Sequence, residues 1–188
     1  MSGKLIVITA PSGAGKTTIA KRMLEAYPVL EFSVSATTRQ PRSGEVHGKD
    51  YYFFTEEQFR KKIETNSFVE WEEVYPGVFY GTLKHDLKTI WDSGKEVLLD
   101  VDVRGAMQLE KQYGEDALTI FIKPPSIEVL INRLRSRATE SPEKIEERIS
   151  KASNELQFES YFDEVVINEI LPDAVRQVEN LIDDFLFT

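Results

Sequence analysis

Residues 10–18 combine the residue types that bind phosphate groups. They read Ala-Pro-Ser-Gly-Ala-Gly-Lys-Thr-Thr and follow the apolar run 5–9, so the sequence predicts a strand, a glycine-rich turn and a helix start. Such a turn points backbone N–H groups inward, and the positive end of the helix dipole adds to their attraction for anions. Lys16 is expected to reach the outer phosphates, and the Thr17 hydroxyl to ligate Mg²⁺. The pattern predicts that the chain handles a nucleoside triphosphate.

A second predicted strand, over residues 97–102, ends in two carboxylates. Ligands of open parallel sheets lie at the carboxyl ends of the strands, so Asp100 and Asp102 are expected beside the glycine-rich loop. Asp100 is the better candidate for the metal side, where a carboxylate holds Mg²⁺ directly or through water. The alternative is that either residue caps the helix that follows.

Composition limits the other possibilities. A chain of 188 residues, 41% of them hydrophobic, is long enough for one compact unit with small inserted lobes. It has no cysteine and only two histidines, which argues against disulfides, zinc knuckles, a thiol nucleophile and a histidine-rich metal site. Short apolar runs and no N-terminal signal pattern predict a soluble, cytoplasmic protein.

The charge distribution favours small anionic ligands. A net charge of −9 argues against broad binding of nucleic acid or acidic membranes. Yet Arg39 and Arg42 share one loop, and three further arginines cluster at Arg133, Arg135 and Arg137. Solvated surface charge is the plain alternative for any single one of them.

The order of elements predicts an α/β fold. Strand and helix patterns alternate along most of the chain, which is typical of a doubly wound parallel sheet, here with five strands. The aromatic-rich piece 34–87 breaks the alternation and is interpreted as an inserted mixed-β lobe, and the helical piece 126–158 as a lid. The core is then expected in three ranges, 1–33, 88–125 and 159–188. A short strand is predicted over residues 32–35, at the boundary between core and lobe.

A phosphate loop does not by itself separate kinases from GTPases, motors or sulfotransferases. The chain has no Asn-Lys-x-Asp guanine motif, and it is shorter than most motors and helicases. Small size with two projecting lobes indicates a nucleoside monophosphate kinase, in which both substrates must be shielded from water.

Several segments resemble the guanylate kinase family, and the resemblance covers essentially the whole chain. The block Thr-Thr-Arg-Gln-Pro-Arg-Ser-Gly-Glu at 37–45 is the most specific of them. The others are 68–71, 80–82, 99–102 and Arg133-Leu134 with Arg137. The resemblance implies a core, a GMP-binding lobe and a lid. It also implies transfer of the ATP γ-phosphate to GMP or dGMP with Mg²⁺, in purine nucleotide metabolism.

The resemblance also assigns roles to individual residues. The residues expected to bind ATP are Pro11, Ser12, Gly13, Ala14, Gly15, Lys16, Thr17 and Thr18. The residues expected to bind GMP are Ser35, Arg39, Arg42, Tyr51, Glu70, Tyr80, Thr82 and Asp102. Catalysis is assigned to Lys16, Arg39, Arg42, Arg133 and Arg137, and our mechanistic hypothesis adds Arg148 from the following helix. The metal ligands are Thr17 and Asp100.

The chemistry of the predicted acceptor residues agrees with these roles. Arginine and tyrosine groups suit a phosphate. The Glu70 carboxylate can accept from both the N1–H and the N2–H₂ of guanine, whereas adenine would present a lone pair at N1. The plain alternatives are that Tyr51 and Tyr80 are core aromatics and that Glu70 is the solvent-facing member of a strand.

The sequence departs from the family pattern at three positions: Ala10 replaces the first loop glycine, Ala36 stands where serine is common, and Thr82 stands where many members have serine. Alanine suits the first loop position if its φ is negative. Ala36 has no hydroxyl, so an auxiliary contact that serine would make at this position is in doubt. Thr82 keeps the hydroxyl that serine would supply.

Two other functions remain open from the sequence. One is a catalytically inactive guanylate-kinase-like module that binds phosphopeptides, although such modules typically lack an intact phosphate loop. The other is a kinase for a different phosphorylated acceptor, such as a sugar phosphate. The sequence makes no prediction of the oligomeric state.

Overall fold

A five-stranded parallel sheet forms the centre of the chain. The computed structural model describes residues 3–136 and 142–188. The strands of the central sheet are β1 (Leu5–Thr9), β2 (Leu30–Phe32), β7 (Glu96–Asp100), β8 (Ala117–Lys123) and β9 (Glu164–Ile167). Their order is β2-β7-β1-β8-β9. The first strand, β1, lies between β7 and β8, so the loop after β1 opens at the carboxyl edge of the sheet.

Helices cover both faces of this sheet, because successive side chains of a buried strand point to opposite sides. Ile6 and Ile8 pack in a cluster with residues of α1 (Lys16–Ala26) and α7 (Leu171–Phe187). Leu5 and Val7 pack in a second cluster with α3 (Lys84–Asp92) and α4 (Val103–Tyr113). The predicted doubly wound α/β core is confirmed.

A separate four-stranded sheet forms the inserted lobe. Its strands are β3 (Ala36–Thr37), β4 (Tyr52–Phe53), β5 (Phe68–Tyr75) and β6 (Val78–Leu83), in the order β4-β3-β6-β5. The β3–β4 pair is parallel and the other pairs are antiparallel, so the sheet is mixed, as predicted. Helix α2 (Glu56–Glu64) covers it through Phe59, and a capping box at Thr55 begins that helix.

Two helices lie in the segment predicted to be a lid. They are α5 (Ile127–Ser136) and α6 (Pro142–Glu155), which pack together through Leu130, Leu134 and Ala152. Short 3₁₀ segments lie at Gly114–Asp116 and Leu156–Tyr161. In the described part of the chain, no helix has the length and apolar character needed to cross a bilayer. The residue limits of core, lobe and lid stay predictions.

Two predicted strands end earlier than expected. The strand predicted over 32–35 lies at Leu30–Phe32, because the chain turns away to Asp86, whose carboxylate accepts from the Ser33 hydroxyl at 2.7 Å and from the Val34 N–H at 2.9 Å. The strand predicted over 97–102 ends at Asp100. Asp102 is instead the N-cap of α4, which was the alternative left open for it.

Candidate active site

The glycine-rich loop connects β1 to α1 with the geometry of an anion-binding turn. Gly13 and Gly15 have φ values of 95° and 101°, in the left-handed region where other residues are strained. The φ of Ala10 is not positive, so alanine fits the first loop position without strain. Helix α1 begins at Lys16, so its free N–H groups and positive dipole end face the turn.

Lys16, Thr17 and Asp100 come together at the end of the loop. The Lys16 ammonium donates to the Val101 carbonyl at 2.8 Å and forms an ion pair with the Asp100 carboxylate. The other carboxylate oxygen of Asp100 accepts from the Thr17 hydroxyl at 3.1 Å. The two residues predicted to hold the metal are therefore neighbours, and both offer oxygen atoms.

Helix α6 holds the first half of the loop through Ser12. Arg148 donates to the Ser12 hydroxyl at 2.6 Å, and the Ser12 backbone N–H donates to the Glu155 carboxylate. Burial raises the pKa of Glu155, and the N–H of Ser12 and the nearby cations Lys151 and Lys16 oppose that increase. The sequence prediction included Arg148 but missed Glu155, although spacings of three and four residues place 148, 151 and 155 on one side of a helix.

Asn168 supports the loop from behind and was also missed. Its side-chain N–H donates to the Ala14 carbonyl at 2.8 Å, and a Cβ on Gly15 would lie 2.3 Å from the same nitrogen. The backbone carbonyl of Asn168 accepts from the Arg133 guanidinium at 3.1 Å. The available signal was its position directly after β9, at the carboxyl edge of the sheet.

The predicted acceptor arginines lie in the loop after β3. Arg39 makes two hydrogen bonds to Glu45, at 2.8 and 2.9 Å, and the nearby Tyr80 also favours its charged form. Its guanidinium lies 5.1 Å from the centre of the Tyr51 ring. The bond from Arg39 lowers the pKa of Glu45 to about 2, and Glu45 in turn holds the pKa of Arg39 above its usual range.

Glu70 is a buried carboxylate at the predicted guanine end. It is 5% exposed, and it accepts from the Thr82 hydroxyl at 2.6 Å. Burial raises the pKa of Glu70 to about 7, and Asp102 adds to this, while the bond from Thr82 opposes it. Its burial is inconsistent with a solvent-facing role. The strand register places Ser35 across from Thr82, since Ala36 is opposite Gly81.

Ala36 points the other way. It is fully buried in the core of the lobe with Phe59, Phe68 and Phe79. Alternation along β3 therefore places its side chain on the face opposite to Ser35 and the other guanine-end residues. A side chain at position 36 therefore points away from the predicted guanine end, and this orientation does not support the auxiliary contact that was in doubt there.

Asp102 lies between the two halves of the site. Its carboxylate caps α4 by accepting from the Gly105 N–H at 2.8 Å, and the residue also lines the cleft beside the loop. A structural cap and a position at the site are thus combined in one side chain.

A single cleft of about 520 Å³ joins the glycine-rich loop, the acceptor arginines, Asp102 and helix α6. Its lining includes Lys16 and Thr17 from the loop, Arg39, Arg42 and Tyr80 from the lobe, and Arg148 from the lid. The order of the elements allows this, because the lobe and α6 both project over the carboxyl edge of the central sheet. The cleft therefore offers cationic and hydroxyl groups from three parts of the chain to anions placed side by side.

Not every predicted residue lines this cleft. Among the predicted residues, the described lining does not include Ala14, Ser35, Tyr51, Glu70, Thr82 and Asp100. Tyr51 contacts Arg39, and Thr82 contacts Glu70. Arg133 contacts Asn168 and is absent from the described residues that line the cleft. Arg137 lies outside the described residues, so its predicted role stays a prediction.

The chain is similar along its whole length to guanylate kinases. The family model described as guanylate kinase matches residues 2–185. A guanylate kinase of Bacteroides thetaiotaomicron is 48% identical over 99% of this chain and 91% of its own length. One of Chlorobium chlorochromatii is 49% identical over 98% of this chain and 97% of its own length. The crystal structure of guanylate kinase from Anaplasma phagocytophilum has a TM-score of 0.79, with 32% identity over 100% of this chain and 88% of that one. The chain belongs to the guanylate kinase family.

Proposed function

We propose that the chain transfers the γ-phosphoryl group of ATP to GMP or dGMP, giving ADP and GDP or dGDP. The observation that carries this proposal is the shared cleft, which joins Lys16 of the glycine-rich loop to Arg39 and Arg42 of the lobe. Two phosphate-bearing substrates bound there would meet end to end, which is the arrangement that in-line transfer requires.

The donor side would hold the ATP phosphates. The N–H groups of residues 10–18 and the Lys16 ammonium would bind the β- and γ-phosphates. Arg148 would neutralise negative charge on the transferring phosphoryl group, since it already lies beside Ser12 at the entrance of the loop. In the transfer, a phosphate oxygen of GMP forms a bond to the γ-phosphorus, while the bond from that phosphorus to the bridging oxygen breaks and its electron pair stays on ADP.

The donor side also suits Mg²⁺. The Thr17 hydroxyl and the Asp100 carboxylate are hard oxygen ligands within 3.1 Å of each other, which matches the preference of Mg²⁺ for few protein ligands plus phosphate oxygens. When bound, Mg²⁺ would neutralise charge on the phosphate oxygens. The described residues contain no cluster of three or more acidic or histidine ligands, so the nucleotide would supply most of the coordination.

The acceptor side would hold GMP. Arg39 and Arg42, with the hydroxyls of Tyr51 and Tyr80, would bind its phosphate, and no general base is needed because that oxygen is already an anion. At the other end of the nucleotide, Glu70 would accept from the N1–H and N2–H₂ of guanine, and Ser35 would donate to O6. The Thr82 hydroxyl donates to Glu70 in this structure, so the predicted donation from Thr82 to O6 would require that bond to be exchanged.

The test is an ADP-release assay with ATP, Mg²⁺ and each of GMP, dGMP, AMP, CMP and UMP. We expect turnover with GMP and dGMP, and kcat/KM lower by about 10⁴-fold with AMP, because its N1 lone pair would face the Glu70 carboxylate. Comparable rates with all five nucleotides would contradict the assignment of the guanine end. Binding of GMP without any ADP release would instead favour the inactive phosphopeptide-binding module.

A cytoplasmic location and the absence of nucleic-acid or membrane partners remain predictions, as does a role in purine nucleotide metabolism. They rest on composition and on the resemblance alone. The small-molecule substrates are the partners that the cleft supports.

A further inference from the structure

Gly105 lies between the two carboxylates of the proposed guanine pocket. It is the third residue of α4, and it is buried where that helix packs against β5. Its N–H donates to the Asp102 carboxylate at 2.8 Å. A Cβ placed on Gly105 would lie 2.6 Å from the Oε2 atom of Glu70 and 3.2 Å from its Cδ. One residue therefore holds one carboxylate through its backbone and admits the other through its lack of a side chain.

The backbone conformation does not require glycine at this position. Positive φ values occur at seven described glycines, and Gly105 is not one of them. Glycine inside a helix is less favourable than alanine, since it loses more conformational freedom on folding. Local helix stability would therefore favour alanine at position 105, and the close approach of Glu70 is the contact that opposes it.

The position of the Glu70 carboxylate depends on contacts that any displacement would break. Its Oε1 atom accepts from Thr82 at 2.6 Å, and the side chain is enclosed by β5, β6 and α4. A Cβ at residue 105 meets the end of a side chain and not a backbone atom, so the carboxylate would rotate and the fold would persist. That rotation would break the alignment of Glu70 with Thr82.

We infer that Gly105 is a positioning residue that sets guanine specificity by fixing the two acceptor carboxylates, Glu70 and Asp102, in the GMP pocket. This inference rests on the proposed function, because it takes Glu70 as the residue that reads guanine. It adds a residue on the core side of the pocket, outside the lobe that supplies Glu70 and Thr82.

The test is the steady-state kinetics of Gly105→Ala. We expect the KM for GMP to rise about tenfold or more, since the substitution displaces a hydrogen-bonding group of a buried polar site. The kcat at saturating GMP and the KM for ATP should stay within about twofold of wild type, because the donor loop is untouched. A packing role alone would lower Tm and change both substrates alike, and that outcome would overturn the inference.

Two Glu70 backgrounds supply matched controls. In Glu70→Asp the carboxylate is one methylene shorter and leaves room for a Cβ, so adding Gly105→Ala should raise the KM for GMP much less than it does in wild type. In Glu70→Ala the contact is gone, so adding Gly105→Ala should leave Tm unchanged or higher. If Gly105→Ala lowers Tm equally with and without the Glu70 side chain, the close approach of Glu70 does not explain why position 105 is glycine.

The same set separates the inference from the proposed function. If Glu70→Ala leaves the KM for GMP unchanged, the assignment of Glu70 to guanine fails, and the inference fails with it. If Glu70→Ala raises that KM while Gly105→Ala does not, the proposed function stands and only the role of Gly105 is wrong.

Discussion

The proposed donor loop and acceptor pocket would bind similar chemical groups, yet they are built in different ways. The donor loop is one continuous segment, residues 10–18, whose backbone N–H groups and helix dipole form the binding surface. The acceptor pocket combines side chains from the loop after β3, from β5 and β6, and from the start of α4. A site built from backbone needs a local shape, whereas a site built from side chains depends on long-range packing.

The same contrast appears in how the charges are balanced. At the donor loop, Lys16 pairs with Asp100 at the open edge of the sheet. In the acceptor pocket, the Arg39–Glu45 pair lies in the loop, and Glu70 is buried with its pKa raised to about 7. In the proposed function, the donor side would therefore supply general affinity for phosphate, while the acceptor side would discriminate between bases.

Removing the donor cation should have the largest effect and should affect one side only. We expect Lys16→Ala to lower kcat by about 10³-fold, because it removes a charge aimed at the transferring phosphate. The affinity for GMP should stay near that of wild type, since the acceptor pocket is formed by other elements. Kinetics by ADP release and GMP binding by calorimetry measure the two effects, and near-normal turnover would remove Lys16 from the ATP site.

Glu70 should make the stability of the acceptor side depend on pH. Its folded pKa of about 7 lies above the value of 4.5 for an ordinary glutamate, so the folded protein holds more protons between those pH values. The contribution of Glu70 to stability is then fully present below about pH 4.5 and is lost as the pH rises through 7, by about 3 kcal/mol in all.

Urea unfolding of wild type and Glu70→Gln at pH 5 and pH 8 measures this contribution. The difference between the two proteins should change with pH in that direction, since glutamine does not titrate. The KM of the wild type for GMP should also fall as the pH rises from 6 to 8, because guanine donors need an ionised Glu70. A stability difference that does not vary with pH would show that Glu70 is already ionised at pH 5.

Releasing Arg39 from Glu45 should have the smallest effect of the three. In Glu45→Gln the guanidinium keeps its contacts with Tyr80 and Tyr51 but loses its charged partner. We expect the KM for GMP to rise by about tenfold or less, with kcat and the KM for ATP unchanged, because Glu45 orients Arg39 without touching the donor loop. A drop in kcat with unchanged KM would instead place Glu45 in the transfer step.

Much of the donor side could be predicted from sequence, because a continuous motif carries its own geometry. The glycine turn, Lys16 and Thr17 lie as predicted, and Asp100 meets them because parallel strands end at one edge. The fold and the family are confirmed, since strand and helix patterns alternate strongly and the acceptor block is specific. The roles of the individual residues stay predictions.

The residues that sequence reasoning missed act through contacts between distant segments. Asn168 reaches Ala14 across 154 positions, and Glu155 meets Ser12 only after α6 packs over the loop. Gly105 resembles any helical glycine until the position of Glu70 is known. Arg133 has a suitable charge for catalysis, but its observed partner is the Asn168 carbonyl. Such pairings depend on tertiary packing, which no local pattern encodes.

Helix α6 contacts both halves of the cleft. Its residues Arg148 and Glu155 hold Ser12, while the ammonium of Lys151 lies 5.7 Å from the centre of the Tyr75 ring, at the tip of the β5–β6 hairpin. Any tilt of this helix would change the surroundings of donor and recipient at the same moment. If the proposed function is right, a helix that contacts both sides would make the exclusion of water depend on donor and acceptor together.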